Sequence, residues 1–381
     1  MGITETVNPH LITASRILKL TRGEDLLSLD LLRDEVAESM ELVLPATAEV
    51  VGKTVAQANF PKGLLIGTIV REEEVIIPKG DTLLKAGDHL IITDDAYKRT
   101  LDFCKTYLGR YDIECTVVKM CDYEAMEKAI RPNTKVFFSE SPTNPYLNIM
   151  DLERLMDIFR DRGILVISDS TFATPYNQHP LKYGVDLVIH SATKYLAGHN
   201  DILSGVILGD RKLTDPIREF LKITGGVIDP NSSYLLIRGL KTFALRMERL
   251  NQSAQEVAEH LEELPGIRRV YYPGLPSHPH HDVAKRQMRG FGSVVTFEVQ
   301  DDAEYALRFL SNLKILNIGP SLGGVESLIT HPATISYYMH TKEEREGLGI
   351  KDGLIRLAVG LEDTTDIIAD IDQALDKAGP R

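Results

Sequence analysis

Lys194 stands where a lysine looks out of place. It falls in "HSATKYLAGHND", directly after "VDLVI", an apolar and β-branched run that reads as a buried strand. A lysine held among partly buried walls loses its proton more readily and can form a Schiff base with an aldehyde. Ser191 and Thr193 beside it offer two hydroxyls that could hold a phosphate. Asp169 closes another apolar run, "ILVISD", and could pair with a protonated ring nitrogen. Amine, hydroxyls and carboxylate together meet the needs of pyridoxal phosphate.

Each of these residues also has an ordinary structural reading. Lys194 alone could be a surface charge, and Asp169 could cap the helix that follows its strand. Asn144 in "PTNP" would usually be a turn residue. Arg356 interrupts the apolar run "LIRLAVG", so it is either an edge-strand charge or a buried carboxylate binder. The cluster "SHPHH", Ser277 to His281, invites a metal, but it lies on a proline-rich stretch without clear ligand spacing.

The elements that must position these residues follow from the rhythm of the chain. After about residue 88 strands alternate with helices: "DIECTVV", "KVFFSE", "GILVISD", "VDLVIHS" and "SGVILG" are strands, and "DLERLMDIFRDRG" is a helix between two of them. Such alternation predicts a mainly parallel α/β sheet, and ligands of open sheets bind beyond the carboxyl ends of the strands. Lys194, Asp169 and Asn144 all fall just there. A long amphipathic stretch from Tyr234 to Leu264 follows, ended by "PG". The remainder, including "SVVTFEV" and "GLIRLAVGLED", reads as a smaller α/β domain.

Before residue 88 the texture differs. A charged, helix-like stretch, "EDLLSLDLLRDEVAE", precedes "MELVLP", "GLLIGTIV", "EEVIIPKGD" and "DHLIIT", short strands of a small antiparallel β-rich unit. A short helix can start around "GKTVAQANF". The expected domains are therefore residues 1–87, 88–245 and 246–381.

Composition narrows the partners. Hydrophobic residues make up 43% and charged residues 26%, as in a soluble globular protein. The net charge of −12 argues against nucleic acid or an anionic membrane as main partner. Cys104, Cys115 and Cys121 are few and odd in number, which fits reduced cytosolic thiols. No apolar run is long enough to span a bilayer, and no signal-peptide core is evident, so a cytoplasmic location is expected.

From about Gly87 to Leu375 the chain closely resembles the Cys/Met-metabolism enzymes of the fold-type I pyridoxal-phosphate group, most of all the plant-type cystathionine γ-synthases. The matching stretches include "DDAYKRT", "ESPTNPYLN", "SDSTFATPYNQ", "DLVIHSATKYLAGHND", "SLGGVESLITHPA" and "IRLAVGLED", in the family's order. The resemblance implies that Lys194 holds the cofactor covalently and later moves protons. It implies that Asp169 partners the pyridine nitrogen, that Tyr97 stacks on the ring, and that Ser191 and Thr193 contact the phosphate. Asn144, Ser327 and Arg356 become the substrate-orienting set, with Arg356 gripping an amino-acid carboxylate bidentately. The implied reaction is a γ-replacement joining cysteine to an O-acylated homoserine. Cystathionine γ-lyases and O-acylhomoserine sulfhydrylases share nearly all of these motifs. Small amino-acid substrates and a homo-oligomer, dimer or tetramer, come with the resemblance.

Residues 1 to about 94 resemble something unrelated, the C-terminal ligand-binding domain of Trk-family potassium-transport regulators. The signature is "AEVVGKTVAQANFPKGLLIGTIVREEEVIIPKGDTLLKAGDHLIIT". A regulatory or binding module without catalysis is therefore the competing expectation. The family's Tyr-x-Arg arm and Ser-Gly-Met loop, which hold the cofactor phosphate, are not found ahead of Gly87, and "LLKAGDH" suits both resemblances. The chain reads as a fusion joined there.

Overall fold

The computed structural model describes residues 26–32, 37–44, 48–61, 63–71, 74–82, 87–300 and 302–379. The described residues divide into two units, one drawn from 1–90, 102–116 and 130–135, the other from 91–101, 117–129 and 136–381.

In the first unit β1 (Leu26–Leu32) and β2 (Ala37–Leu42) pair antiparallel, Leu29 opposite Met40. A helix was the expectation for this stretch. Leu27, Leu29 and Leu31 alternate with Ser28 and Asp30, so the period of two prevails over the helix-like density of leucine and charge. The expected helix around "GKTVAQANF" is replaced by turns. Val55 and Ala56 send their N–H groups to the carbonyls of Thr82 (2.9 Å) and Gly80 (2.9 Å). Strands β3 (Ile69–Arg71) and β4 (Glu74–Ile76) form a second antiparallel pair, shorter than the runs that suggested them.

The expected place of "DHLIIT" is also corrected. As β5 (His89–Thr93) it joins a six-stranded sheet with β6 (Glu114–Val118), β7 (Thr134–Glu140), β8 (Leu165–Asp169), β9 (Leu187–Ser191) and β10 (Gly205–Gly209). The order is β10-β9-β8-β7-β5-β6. Strands β7, β8 and β9 run parallel, and β10 returns antiparallel to β9. Parallel neighbours need a crossover, supplied between β7 and β8 by the helix Leu152–Phe159. Asp151 caps that helix by accepting from the Arg154 N–H, and Leu152, Leu155, Met156 and Phe159 are buried. The register sets Glu140 beside Asp169 and Asp169 beside Ile189, which aligns the carboxyl ends of the three parallel strands.

The later part of the second unit carries a five-stranded sheet ordered β11 (Arg269–Tyr271), β12 (Val294–Glu298), β15 (Leu354–Ala358), β14 (Leu328–Thr330) and β13 (Asn317–Ile318). The helices Phe243–Glu263, Ala303–Ser311 and Thr364–Ala378 share its hydrophobic core through Leu250, Val257, Phe309, Ile367 and Ile371. The amphipathic stretch expected to run from Tyr234 is broken into two helices, Pro230–Leu240 and Phe243–Glu263. At the break Gly239 lies against Ala197, so close that a Cβ would stand 2.2 Å from its carbonyl oxygen. No other residue fits there.

Candidate functional site

Lys194 does not point into solvent. After β9 the chain turns sharply, with the Lys194 N–H donating to the Ser191 carbonyl (3.1 Å) and the Gly198 N–H to the Lys194 carbonyl (2.8 Å). The buried Arg246 clamps this turn from the helix Phe243–Glu263. Its guanidinium donates to the carbonyls of Tyr195 (2.8 Å), Leu196 (3.4 Å) and Gly239 (2.9 Å). On the other side the "SLGG" segment packs against the same turn. Gly323, at φ +78°, approaches so closely that a Cβ would lie 2.7 Å from the Tyr195 nitrogen. So confined, the Lys194 ammonium donates to the Ser321 hydroxyl at 3.0 Å. Burial pushes the Lys194 pKa below that of an ordinary lysine, and the positive charge of Arg356 pushes it further the same way.

Arg356 lies in the middle of the fully buried strand β15, opposite Thr296 and Thr330. The edge-strand reading is thereby excluded. Nη1 donates to Asn144 Oδ1 (3.2 Å), and Nη2 donates to the carbonyls of Pro320 (2.7 Å) and Ser321 (3.0 Å). Burial lowers its pKa to about 10, and Nε has no hydrogen-bond partner. A buried guanidinium held by neutral oxygens alone, with its Nε–H unused, is an incomplete arrangement that a carboxylate would complete.

Asp169 ends β8 with its carboxylate largely out of water, and burial raises its pKa. The N–H (3.0 Å) and hydroxyl (2.6 Å) of Thr171 both donate to Oδ1 and oppose that rise. Thr171 Oγ1 in turn accepts from the Ser191 N–H (2.8 Å), tying β8 to β9 at their carboxyl ends. Thr193 spends its hydroxyl on its own loop, donating to the Ser204 carbonyl (3.2 Å) and accepting from the Ser204 N–H (2.9 Å).

Tyr97 is 58% exposed, and its N–H donates to the buried carboxyl of Glu140 (2.7 Å). Nearby Asp95 accepts from Asn148 (3.3 Å), and burial raises its pKa to about 6.

The structure thus joins Lys194 to Arg356 through Ser321 and Arg356 directly to Asn144, and joins Asp169 to Ser191 through Thr171. Ser327 stands apart. Its hydroxyl donates to Glu362 (2.7 Å) and accepts from the Gly360 N–H (2.8 Å), so it is committed to the packing of two loops. Ser321, six residues earlier in the same motif, is the serine whose hydroxyl meets Lys194. The imidazoles of "SHPHH" serve the backbone: His278 meets the Tyr146 carbonyl (3.3 Å), His280 accepts from the Ile149 N–H (3.1 Å), and His281 meets the Pro273 carbonyl (2.9 Å).

Pyridoxal phosphate fits the larger part of this set. The donors recorded for Asp169 both fall on Oδ1, which leaves Oδ2 for a ring N–H, and Lys194 has the lowered pKa that a nucleophilic amine needs. The fit at the phosphate is looser, because the Thr193 hydroxyl must redirect its hydrogen from Ser204.

Fold and site together define a fold-type I pyridoxal-phosphate-dependent enzyme architecture. A solved structure, cystathionine γ-lyase from Lactobacillus plantarum complexed with L-serine, superposes with a TM-score of 0.73 at 37% identity, covering 77% of each chain. Residues 79–376 match the family described as Cys/Met metabolism PLP-dependent enzyme, and the chain belongs to that family. Residues 40–104 match the TrkA-C domain. Among curated relatives, cystathionine γ-synthase 1, chloroplastic, of Arabidopsis thaliana is 48% identical over 77% of this chain, and cystathionine γ-lyase of Bacillus subtilis is 46% identical over 77%. The match spans 52% of the plant protein's length and 78% of the bacterial one's. Among the described residues no helix is long and apolar enough to cross a membrane.

Proposed function

We propose that the chain catalyses a pyridoxal-phosphate-dependent γ-replacement, O-acyl-L-homoserine plus L-cysteine giving L-cystathionine and the free acid. The observation that carries this reading is the hydrogen-bonded line Lys194–Ser321–Arg356–Asn144, an amine and a carboxylate receptor brought together by one serine. The identity to a protein named cystathionine γ-synthase supports the choice of reaction. Bound pyridoxal phosphate supplies an electron sink for charge developing at the substrate's carbon atoms.

The chain's own residues do the rest. Arg356 takes the substrate carboxylate on its planar fork, with Asn144 and Ser321 fixing the fork's direction. Lys194 would hold the cofactor and, as a neutral amine, would take the proton from the substrate Cα and return protons where the reaction needs them. Asp169 would accept the ring N–H, Tyr97 would lie against the ring, and Ser191 and Thr193 would meet the phosphate. The Cγ–O bond to the acyl group breaks, the Cγ–S bond forms, and the carboxylic acid leaves.

A steady-state assay with O-acylhomoserine and cysteine, read by cystathionine formed, tests the proposal. Release of 2-oxobutanoate and cysteine from cystathionine would identify a γ-lyase, a reading favoured by the Bacillus subtilis relative. Cysteine-independent sulfide incorporation would identify a sulfhydrylase. Silence in all three assays at saturating cofactor would favour the regulatory reading, which rests on the TrkA-C match.

Two predictions arise at once. Arg356→Lys keeps the charge but loses the fork, so the KM for the amino-acid substrate is expected to rise about tenfold or more, at roughly 1.5–3 kcal/mol per lost charged hydrogen bond. Unchanged saturation in that variant would remove Arg356 from the site. The second concerns the phosphate, for which Ser191 and Thr193 are the hydroxyls at hand and Thr193 is already bonded to Ser204. A helix N-terminus and an arginine would strengthen such a site. Exchanging residues 1–86 for a family N-terminus carrying Tyr-x-Arg and Ser-Gly-Met is expected to tighten cofactor binding at least tenfold in equilibrium dialysis. Equal affinity before and after the exchange would show the phosphate site already complete.

A further inference from the structure

Glu140 is the most deeply buried acid near the site, and no role described above uses its side chain. It ends β7 at 4% exposure, and its register partner across the parallel sheet is Asp169. Its Oε2 accepts the Tyr97 N–H at 2.7 Å, so a neutral amide, not a cation, meets the carboxyl there. The groups that face it are Asp169 from β8, Asp95 and the Tyr97 amide from the segment ahead of the helix Lys98–Thr106, and Tyr337, whose ring lies 5.7 Å from Lys98 Nζ. Two carboxylates at the ends of adjacent buried strands cannot both ionise cheaply. Asp169 has two donors from Thr171 on one oxygen, against the single amide hydrogen bond of Glu140, so the charge settles on Asp169.

We propose that Glu140 is a positioning residue: an uncharged carboxylic acid that anchors the backbone of Tyr97 and leaves the negative charge of the strand ends to Asp169. Burial, and then the Asp169 charge, raise its pKa well above the carboxylate range, in accord with the geometry. The proposal rests on the pyridoxal-phosphate reading for the task of Tyr97, but the state of Glu140 belongs to the protein alone. A glutamine has the same shape, no charge and a carbonyl oxygen that can accept the Tyr97 N–H. An alanine has no acceptor. An aspartate is one methylene short.

The decisive comparison is between Glu140→Gln and Glu140→Ala. In the cofactor-free protein at neutral pH, the infrared difference between the native chain and Glu140→Gln should show loss of a protonated-carboxyl C=O band and no loss of a carboxylate pair. In equilibrium dialysis Glu140→Gln should bind pyridoxal phosphate within about twofold of the native chain, while Glu140→Ala and Glu140→Asp lose on the order of tenfold to a hundredfold, the scale of a small misplacement in a site. Loss of carboxylate bands in the glutamine variant would overturn the proposal. So would a glutamine variant as weak as the alanine one, or an alanine variant that binds like the native chain. Should Glu140→Ala fail to fold, the infrared difference and the glutamine and aspartate affinities still decide. A native chain that binds no pyridoxal phosphate would defeat the reading of the site, while the infrared difference would still report on Glu140.

Discussion

Borohydride added to the protein with pyridoxal phosphate at neutral pH is expected to fix the label on Lys194 ahead of every other lysine. The nucleophile is the neutral amine, so selectivity follows the fraction of each lysine that has lost its proton. Burial and the Arg356 charge lower the Lys194 pKa, and its amine is already held toward the site by Ser321. Surface lysines such as Lys128 and Lys222 are exposed and ion-paired with Glu124 (2.6 Å) and Glu219 (2.7 Å), away from any such receptor. Peptide mapping of the reduced adduct reads the result. Lys194→Ala should lose that label and about 10²–10⁴-fold in turnover, the range for removing a positioned acid–base group. Its fold should survive, because the turn is clamped by Arg246 and by backbone bonds that do not involve the lysine side chain. Labelling spread evenly over surface lysines, or full turnover in the alanine variant, would remove Lys194 from the chemistry.

Sequence alone reveals the strand ends well, because β8 and β9 are apolar runs that stop at a polar residue, and a parallel sheet gathers such stops at one edge. The positions of Asp169 and Lys194 at strand ends were legible for that reason. Ser327 and Ser321 were not separable, since both sit in "SLGGVES" and only the tight approach of Gly323 to the Lys194 turn decides which hydroxyl faces the lysine. Glu140 was hidden by distance along the chain, because its partner Tyr97 lies 43 residues earlier and "KVFFSE" by itself ends like any strand reaching water. The pairing of β1 with β2 was missed differently. A leucine-rich stretch with alternating polar residues satisfies helix and strand periods alike, and pairing with a neighbour, which no local pattern records, settles it.

Asp169 supplies the second large effect, and its variants separate charge from scaffold. Its Oδ1 accepts both the N–H and the hydroxyl of Thr171, and Thr171 holds the Ser191 N–H, so the side chain organises the turn as well as the site. An asparagine can keep those two hydrogen bonds through its own carbonyl oxygen, whereas alanine cannot. Asp169→Asn should therefore melt near the native temperature yet lose about 10²–10⁴-fold in turnover, because an uncharged amide cannot hold a ring nitrogen protonated. Asp169→Ala should lose turnover and stability together. The sign of the pH effect also follows. Burial raises the pKa of the free carboxyl, and a cationic ring partner stabilises its ionised form. Asp169 therefore contributes its full share of cofactor affinity above its raised free-state pKa and loses it as pH falls through that value. In Asp169→Asn this component of the pH dependence should vanish while the components from the cofactor remain. Full turnover in a well-folded Asp169→Asn, with the alanine variant unfolded, would return Asp169 to the role of a turn cap and take the ring-nitrogen partner out of the site.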